Sequence, residues 1–219
     1  EIEGLIDYGS IDCEFAVDAN NVIHILQVRP LISRNQRLSN DDLIFDSIEN
    51  SVKRFLSLQK PGPFIVGNSA MFGVMPDWNP AEIIGTSPGN LAISLYKYLI
   101  TDEIWALQRS EFGYRDVRPG PLVVSFAGCP YVDIRLSFAS FIPKNISEKL
   151  AGKLLNYYIN YLKENKEYHD KVEFKVVTNC FAPNYKEWVE RFSESLLFKD
   201  HEIEIFKKEL ISITKNAFN

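Results

Sequence analysis

The sequence predicts an α+β fold: an N-terminal β-hairpin, then a mixed α+β domain with a central sheet and about six helices. Three observations carry that expectation. Residues 11–17 and 22–29 alternate polar and apolar side chains on either side of Asp18-Ala19-Asn20-Asn21, whose residue types suit a turn. Later segments with helical periodicity are interspersed with short apolar runs. Gly and Pro, 11 of each in 219 residues, separate these segments into lengths normal for a globular chain.

Element by element, Ile11 to Val17 reads as one strand and Val22 to Arg29 as its return. Pro30 cannot donate to a ladder and should end it. Residues 31–42 read as a polar linker in which Ser39, Asn40 or Asp41 can cap a helix over 43–58. Lys60-Pro61-Gly62-Pro63 breaks that helix. A short apolar strand at 64–67 leads into a long irregular stretch, 68–85, carrying Met71, Phe72, Met75 and Trp78; long structured loops are often functional. Helices are expected at 88–99 and 101–112, the second capped by Thr101. After a loop over 113–121, residues 122–126 read as a buried strand and 128–130 as a turn. Residues 131–138 read as an alternating strand with Asp133, Arg135 and Ser137 on one face. Ser147 opens a helix reaching about 165, followed by a strand at 172–177 and helices at 184–197 and 201–215. There is no internal repeat.

Composition narrows the function classes. Hydrophobic residues make up 46% and charged residues 24%, which excludes a disordered or low-complexity chain. A net charge of −5, from 24 Lys+Arg against 29 Asp+Glu, argues against a nucleic-acid partner, which needs clustered positive charge. No apolar run approaches the roughly 20 residues of a membrane span, so no membrane partner is expected. Glu1-Ile2-Glu3-Gly4 has neither an initiator Met nor a signal core, and the expectation is a chain beginning partway through a larger protein. Cys13, Cys129 and Cys180 are widely spaced with no CxxC pair, which reads as reduced thiols in a cytoplasmic protein.

Several polar groups stand where chemistry is expected. Asp12 and Glu14 point to one side of the first strand, and Gln27 and Arg29 share a side of the second. Two carboxylates, an amide and a guanidinium are thereby able to converge on one ligand. Asp77, Trp78 and Asn79 lie between Pro76 and Pro80; they suit either an amino or amide ligand or the cap of a helix starting at Pro80. Arg109, Arg115, Asp116 and Arg118 suit either a carboxylate-bearing acceptor or surface ion pairs. Asp133 and Arg135 suit either a zwitterion grip or a structural ion pair. Tyr157, Tyr158 and Tyr161 read as core packing, and Gly67 to Gly73 lacks the lysine of a phosphate loop. His24, His169 and His201 read as surface or supporting histidines.

Asp12-Cys13-Glu14-Phe15-Ala16, answered by Ile23-His24-Ile25-Leu26-Gln27-Val28-Arg29-Pro30, resembles the C-terminal edge of the ATP-grasp nucleotide-binding domain of phosphoenolpyruvate synthases and pyruvate phosphate dikinases. Cys13 stands where that family has an aliphatic residue. The resemblance spans residues 1–33 and implies ATP and Mg²⁺ as cofactors. It implies Glu14 and Gln27 as Mg²⁺ ligands, Arg29 as the catalytic residue holding the transferred phosphate, and Asp12 as support for that group. Hard oxygen donors suit Mg²⁺ and a guanidinium fork suits phosphate oxygens. Residues 40–219 resemble the middle, acceptor-binding region of dikinase-like enzymes such as L-glutamine kinases, through Phe72 to Gly85 and Gly113 to Val117. Asp77, Asn79, Arg115, Asp133 and Arg135 are the candidates to hold a small acceptor there. The implied parent enzyme passes the ATP β-phosphate through a phosphohistidine to that acceptor, an amino acid such as L-glutamine being one candidate. Its remaining ATP-grasp lobe and its phosphohistidine domain would lie outside this chain, and the piece alone would be inactive. The alternatives are a true phosphoenolpyruvate synthase acting on pyruvate and a non-catalytic binding module.

Overall fold

Asp18 organises the first element. Its Oδ1 accepts hydrogen bonds from the backbone N–H of Asn20 at 2.8 Å and of Val22 at 3.0 Å, and Asn21 takes up a positive φ of 61°. Short polar side chains tolerate that geometry, so the chain reverses here. Strands β1 (Ile11–Val17) and β2 (Ile23–Pro30) then pair antiparallel, with Asp12 opposite Arg29 and Glu14 opposite Gln27. The register shifts between Glu14 and Phe15, so that Phe15 faces Ile25 and Leu26 is the extra residue of a bulge. Pro30 is the last residue of the strand, not the first beyond it.

The computed structural model describes residues 11–30, 41–60, 66–67, 69–74, 76–180 and 185–218. Residues 31–40 of the linker expected over 31–42 and the start of the expected strand at 64–67 lie outside them; 41–42 belong to a helix, and Val66 and Gly67 are not in a strand. Residues 1–44 form one compact unit and residues 45–219 another. The division falls inside helix α1 (Asp41–Leu58).

The second unit has a three-stranded antiparallel sheet in the order β3-β5-β4. Strand β3 (Phe72–Gly73) is short and arises within the stretch expected to be irregular. Strands β4 (Val123–Phe126) and β5 (Cys129–Asp133) join through Ala127 and Gly128, at φ 50° and 81°. Two successive positive φ angles match the twist of a tight hairpin. Helix α2 (Pro80–Ile83) is a single turn, and α3 (Asn90–Tyr96) runs on into a π-turn, Lys97–Thr101. Helix α4 (Ile104–Phe112) ends at Gly113, whose φ of 111° is the left-handed cap that glycine accepts most readily. Thr101 does not cap α4; it is fully buried at the end of the π-turn.

Two expected strands are helical turns. The strand at 131–138 ends at Asp133, whose Oδ1 accepts the Leu136 N–H at 3.2 Å and starts helix α5 (Ile134–Ala139). All six residues of α5 are buried, so no solvent face imposes a helical period, and the alternation of Ile134, Leu136 and Phe138 imitates a strand. Residues 172–176 form a π-turn in which Val172 and Val176 are buried and Phe174 is 64% exposed. Apolar residues two apart again imitated a strand.

Helix α6 (Glu148–Glu164) organises the core. Ser147 caps it by accepting the Leu150 N–H at 3.3 Å, as serine does before a helical run. Its buried stripe, Leu150, Leu154, Leu155, Tyr158, Ile159 and Leu162, follows the helical period. Helices α7 (Tyr185–Glu194) and α8 (Asp200–Ala217) add an aromatic cluster, with Phe192–Phe198 centroids 4.8 Å apart and Trp188–Phe206 5.3 Å apart. The fold is mixed α+β, with eight α-helices and two small antiparallel sheets among the described residues. Cys13, Cys129 and Cys180 are free thiols. No helix among the described residues is long and apolar enough to cross a membrane.

Leu154 is fully buried, so Leu154→Ala should cost about 2–5 kcal/mol through lost burial and a residual cavity. A lowered urea midpoint with an unchanged denaturant slope is the expected result; an unchanged midpoint would place Leu154 outside the core.

Candidate functional site

Cross-strand pairing decides which hairpin side chains meet. Residues opposite one another in an antiparallel pair share a face, and so do residues two apart on one strand. Asp12, Glu14, Gln27 and Arg29 therefore occupy one face of β1–β2. Arg29 Nε donates to Asp12 Oδ2 at 2.7 Å, and its Nη2 lies 3.9 Å from Glu14 Oε1. The side chains of Asp12, Glu14 and Arg29 are 42%, 57% and 58% exposed. Because Asp12 engages Nε, the Nη edge of the fork stays open to a planar oxyanion. Glu14 and Gln27, directly opposed, bring a carboxylate and an amide oxygen together. This donor set fits a hard divalent cation that completes its shell with water and phosphate oxygens. Among the described residues, no group of three or more His, Cys, Asp and Glu side chains could hold a metal by itself.

In the second unit the polar candidates are buried and paired with one another. Asp77 is 6% exposed, and its carboxylate receives both ends of the Arg109 guanidinium, at 2.7 and 2.8 Å. Ser137 Oγ donates to Asp77 Oδ2 at 2.6 Å, and Arg109 Nη1 also donates to Ser140 Oγ at 2.6 Å. Arg109 lies 4.0 Å above the Phe141 ring. Three successive non-glycine residues, Asp77, Trp78 and Asn79, have positive φ angles of 56°, 53° and 25°. Such conformations cost on the order of 1–3 kcal/mol each and persist only where surrounding contacts enforce them. The Arg109 fork, the Ser137 hydroxyl and the Tyr96 phenol, which donates to the Trp78 carbonyl, are those contacts.

The other candidates are distributed. Asn79 caps α2, its Oδ1 accepting the Glu82 N–H at 3.4 Å. Arg115 pairs with Glu148, and Arg118 with Asp116 at 2.6 Å, so the cationic cluster around Gly113 does not converge. Asp133 and Arg135 lie 3.7 Å apart at 2% and 1% exposure, with Arg135 Nη2 donating to the Leu58 carbonyl at 2.9 Å. Burial holds the Asp133 carboxyl above its ordinary range, and Arg135 opposes that shift.

Beside the strained loop is a cavity of about 510 Å³. Trp78, Phe112, Tyr114, Phe141 and Phe174 supply aromatic walls, with Arg109 and Glu173 as the charged groups. Burial first, and then nearby Asp77, raise the Glu173 carboxyl, while Arg109 opposes. Tyr114 is anchored where its oxygen accepts the Cys180 N–H at 2.8 Å. Sequence reasoning did not single out Glu173, Tyr114 as a wall, or Phe141. Glu173 sat inside an apparent strand, and only the π-turn turns its carboxylate to the cavity. The signal that was present is Trp78 between two prolines.

No protein-family model matches the chain, and no curated protein or solved structure shows significant similarity to it.

Arg109→Ala strips the partner from buried Asp77 and should destabilise by about 3–5 kcal/mol; Asp77→Ala/Arg109→Ala should cost less than the two single changes summed. Thermal melts of the four proteins test this, and strict additivity would refute a coupled pair. Burial, reinforced by Asp77, pushes the Tyr96 phenol up to about 12. A folded value above the unfolded one means the stabilisation is complete below about pH 10 and is lost as pH rises to about 12. Urea denaturation of wild type and Tyr96→Phe should therefore show a stability gap that narrows over that window; a constant gap would contradict it.

Proposed function

We propose that this chain is part of an ATP-dependent phosphotransferase of the dikinase type, its hairpin supplying ligands to the nucleotide phosphates and its second unit serving as the acceptor domain. The observation that carries the reading is the single hairpin face on which Asp12, Glu14, Gln27 and Arg29 gather. Their exposure suits a triphosphate contributed from outside the hairpin. Asp12 orients the Arg29 guanidinium through Nε, and the Nη edge would offer its donors to phosphate oxygens. Glu14 and Gln27 would hold Mg²⁺, which neutralises the phosphate charge when bound. Phosphoryl transfer depends chiefly on positioning and charge neutralisation, so a fixed guanidinium is a strong contributor.

The overall reaction in this reading converts ATP, water and acceptor to AMP, phosphate and phosphorylated acceptor. A histidine in a separate domain of the same cytoplasmic enzyme would carry the phosphoryl group between the two sites. Small amino acids, L-glutamine among them, are the proposed acceptors, and pyruvate is the competing one.

In the full-length protein, Arg29→Ala should lower AMP formation by about 100-fold or more, with the circular dichroism spectrum retained and only partial rescue by Arg29→Lys. The same assay run across amino acids and pyruvate identifies the acceptor. Unchanged AMP formation in Arg29→Ala would reduce the hairpin to a non-catalytic module.

A further inference from the structure

The cavity beside the strained loop combines three features that core packing alone does not explain. Its volume of about 510 Å³ lies within the range of small-molecule sites. The loop beside it holds three consecutive non-glycine residues at positive φ, and strain of that kind concentrates at ligand sites. Its wall also carries a carboxylate, Glu173, whose hydrogen bonding among the described residues comes from its own backbone N–H.

Charge selects the ligand. Arg109 is the cationic side chain at the wall, but Nη1 serves both Asp77 and Ser140, Nη2 serves Asp77, and one face rests on Phe141. The Asp77–Arg109 pair is thus internally neutral, and an ionised Glu173 is the one unbalanced charge among the described residues of the wall. An anionic ligand would meet that carboxylate and would have to break the buried pair to reach the guanidinium. A cation needs neither. The rings of Trp78 and Phe174, 39% and 64% exposed, line the cavity, and aromatic rings attract cations over their faces, tryptophan most strongly. The Glu173 backbone is held in place, since Asn179 Nδ2 donates to its carbonyl at 2.6 Å.

We propose that this cavity binds a small organic cation, an ammonium group carried on an apolar or aromatic body, with Glu173 as counter-ion and Trp78 as the ring that receives the charge. The proposal goes beyond the phosphotransferase reading and does not depend on the hairpin.

Three probes of matched shape test it on the 219-residue chain: phenethylammonium, 2-phenylethanol and phenylacetate, titrated by calorimetry and by NMR shifts of the Trp78 indole N–H. The cation should bind at least about tenfold more tightly than the alcohol, with phenylacetate weakest and the Trp78 signal moving on titration. Glu173→Gln should abolish the preference for the cation while leaving the alcohol's affinity unchanged, and Trp78→Ala should weaken the cation. Binding of the alcohol or the acid as tightly as the cation overturns the proposal, as does retained preference in Glu173→Gln or no binding of any probe. Should Glu173→Gln fail to fold, the order of the three probes on the wild-type chain decides alone. Loss or retention of AMP formation in Arg29→Ala leaves this result untouched.

Discussion

The second unit depends on one ion pair. Asp77 and Arg109 are withdrawn from water, and an isolated buried charge is costly enough that either alone would disrupt the surroundings. Two parallel N–H···O bonds and two serine hydroxyls satisfy the pair. That network joins three pieces of chain distant in sequence: the loop after β3, helix α4 and helix α5. It also enforces the left-handed conformations from Asp77 to Asn79, which no glycine is present to ease. The same contacts that stabilise the loop place Trp78 beside the cavity.

A second buried pair has a different character. Asp133 and Arg135 are two residues apart in sequence, and the first caps the helix on which the second sits. Arg135 reaches the carbonyl of Leu58 at the end of α1, and among the described residues its Nε and Nη1 have no hydrogen-bond acceptor. Nothing among the described residues accounts for the two unsatisfied donors.

The hairpin stands in electrostatic contrast. Its charges stay in water, where one ion pair is worth little to stability, and that is the condition under which charged groups remain available to a ligand. Apolar side chains are exposed beside them, Phe15 at 59% and Leu26 at 66%. A two-stranded ribbon has no interior of its own, so its side chains form no core. In the second unit Asp77, Arg109, Asp133 and Arg135 are withdrawn from water and held in ion pairs. The polar groups left open to solvent thus differ between the units: a set of exposed charges on the hairpin, and a half-buried carboxylate, Glu173, at the cavity wall of the second unit.

Local rules wrote much of this molecule in the sequence. The period-2 alternation of residues 11–17, the turn chemistry of Asp18 to Asn21 and the helical stripes of α1, α6 and α8 all act over a few residues, and they formed where the pattern placed them. The shared face of Asp12, Glu14, Gln27 and Arg29 follows from those rules once the register is set. Tertiary structure decided what periodicity cannot encode. Residues 134–139 alternate like a strand but fold as a helical turn, because burial on every side removes the solvent face that distinguishes the two periods, and in 172–176 the spacing of Val172, Phe174 and Val176 imitates a strand over a single π-turn. The partners of Asp77 lie 32 and 60 residues away, a separation over which no local pattern carries information. The cavity is lined by the loop, α4 and the π-turn, segments so far apart in sequence that only the tertiary structure brings Trp78, Arg109 and Glu173 to one wall.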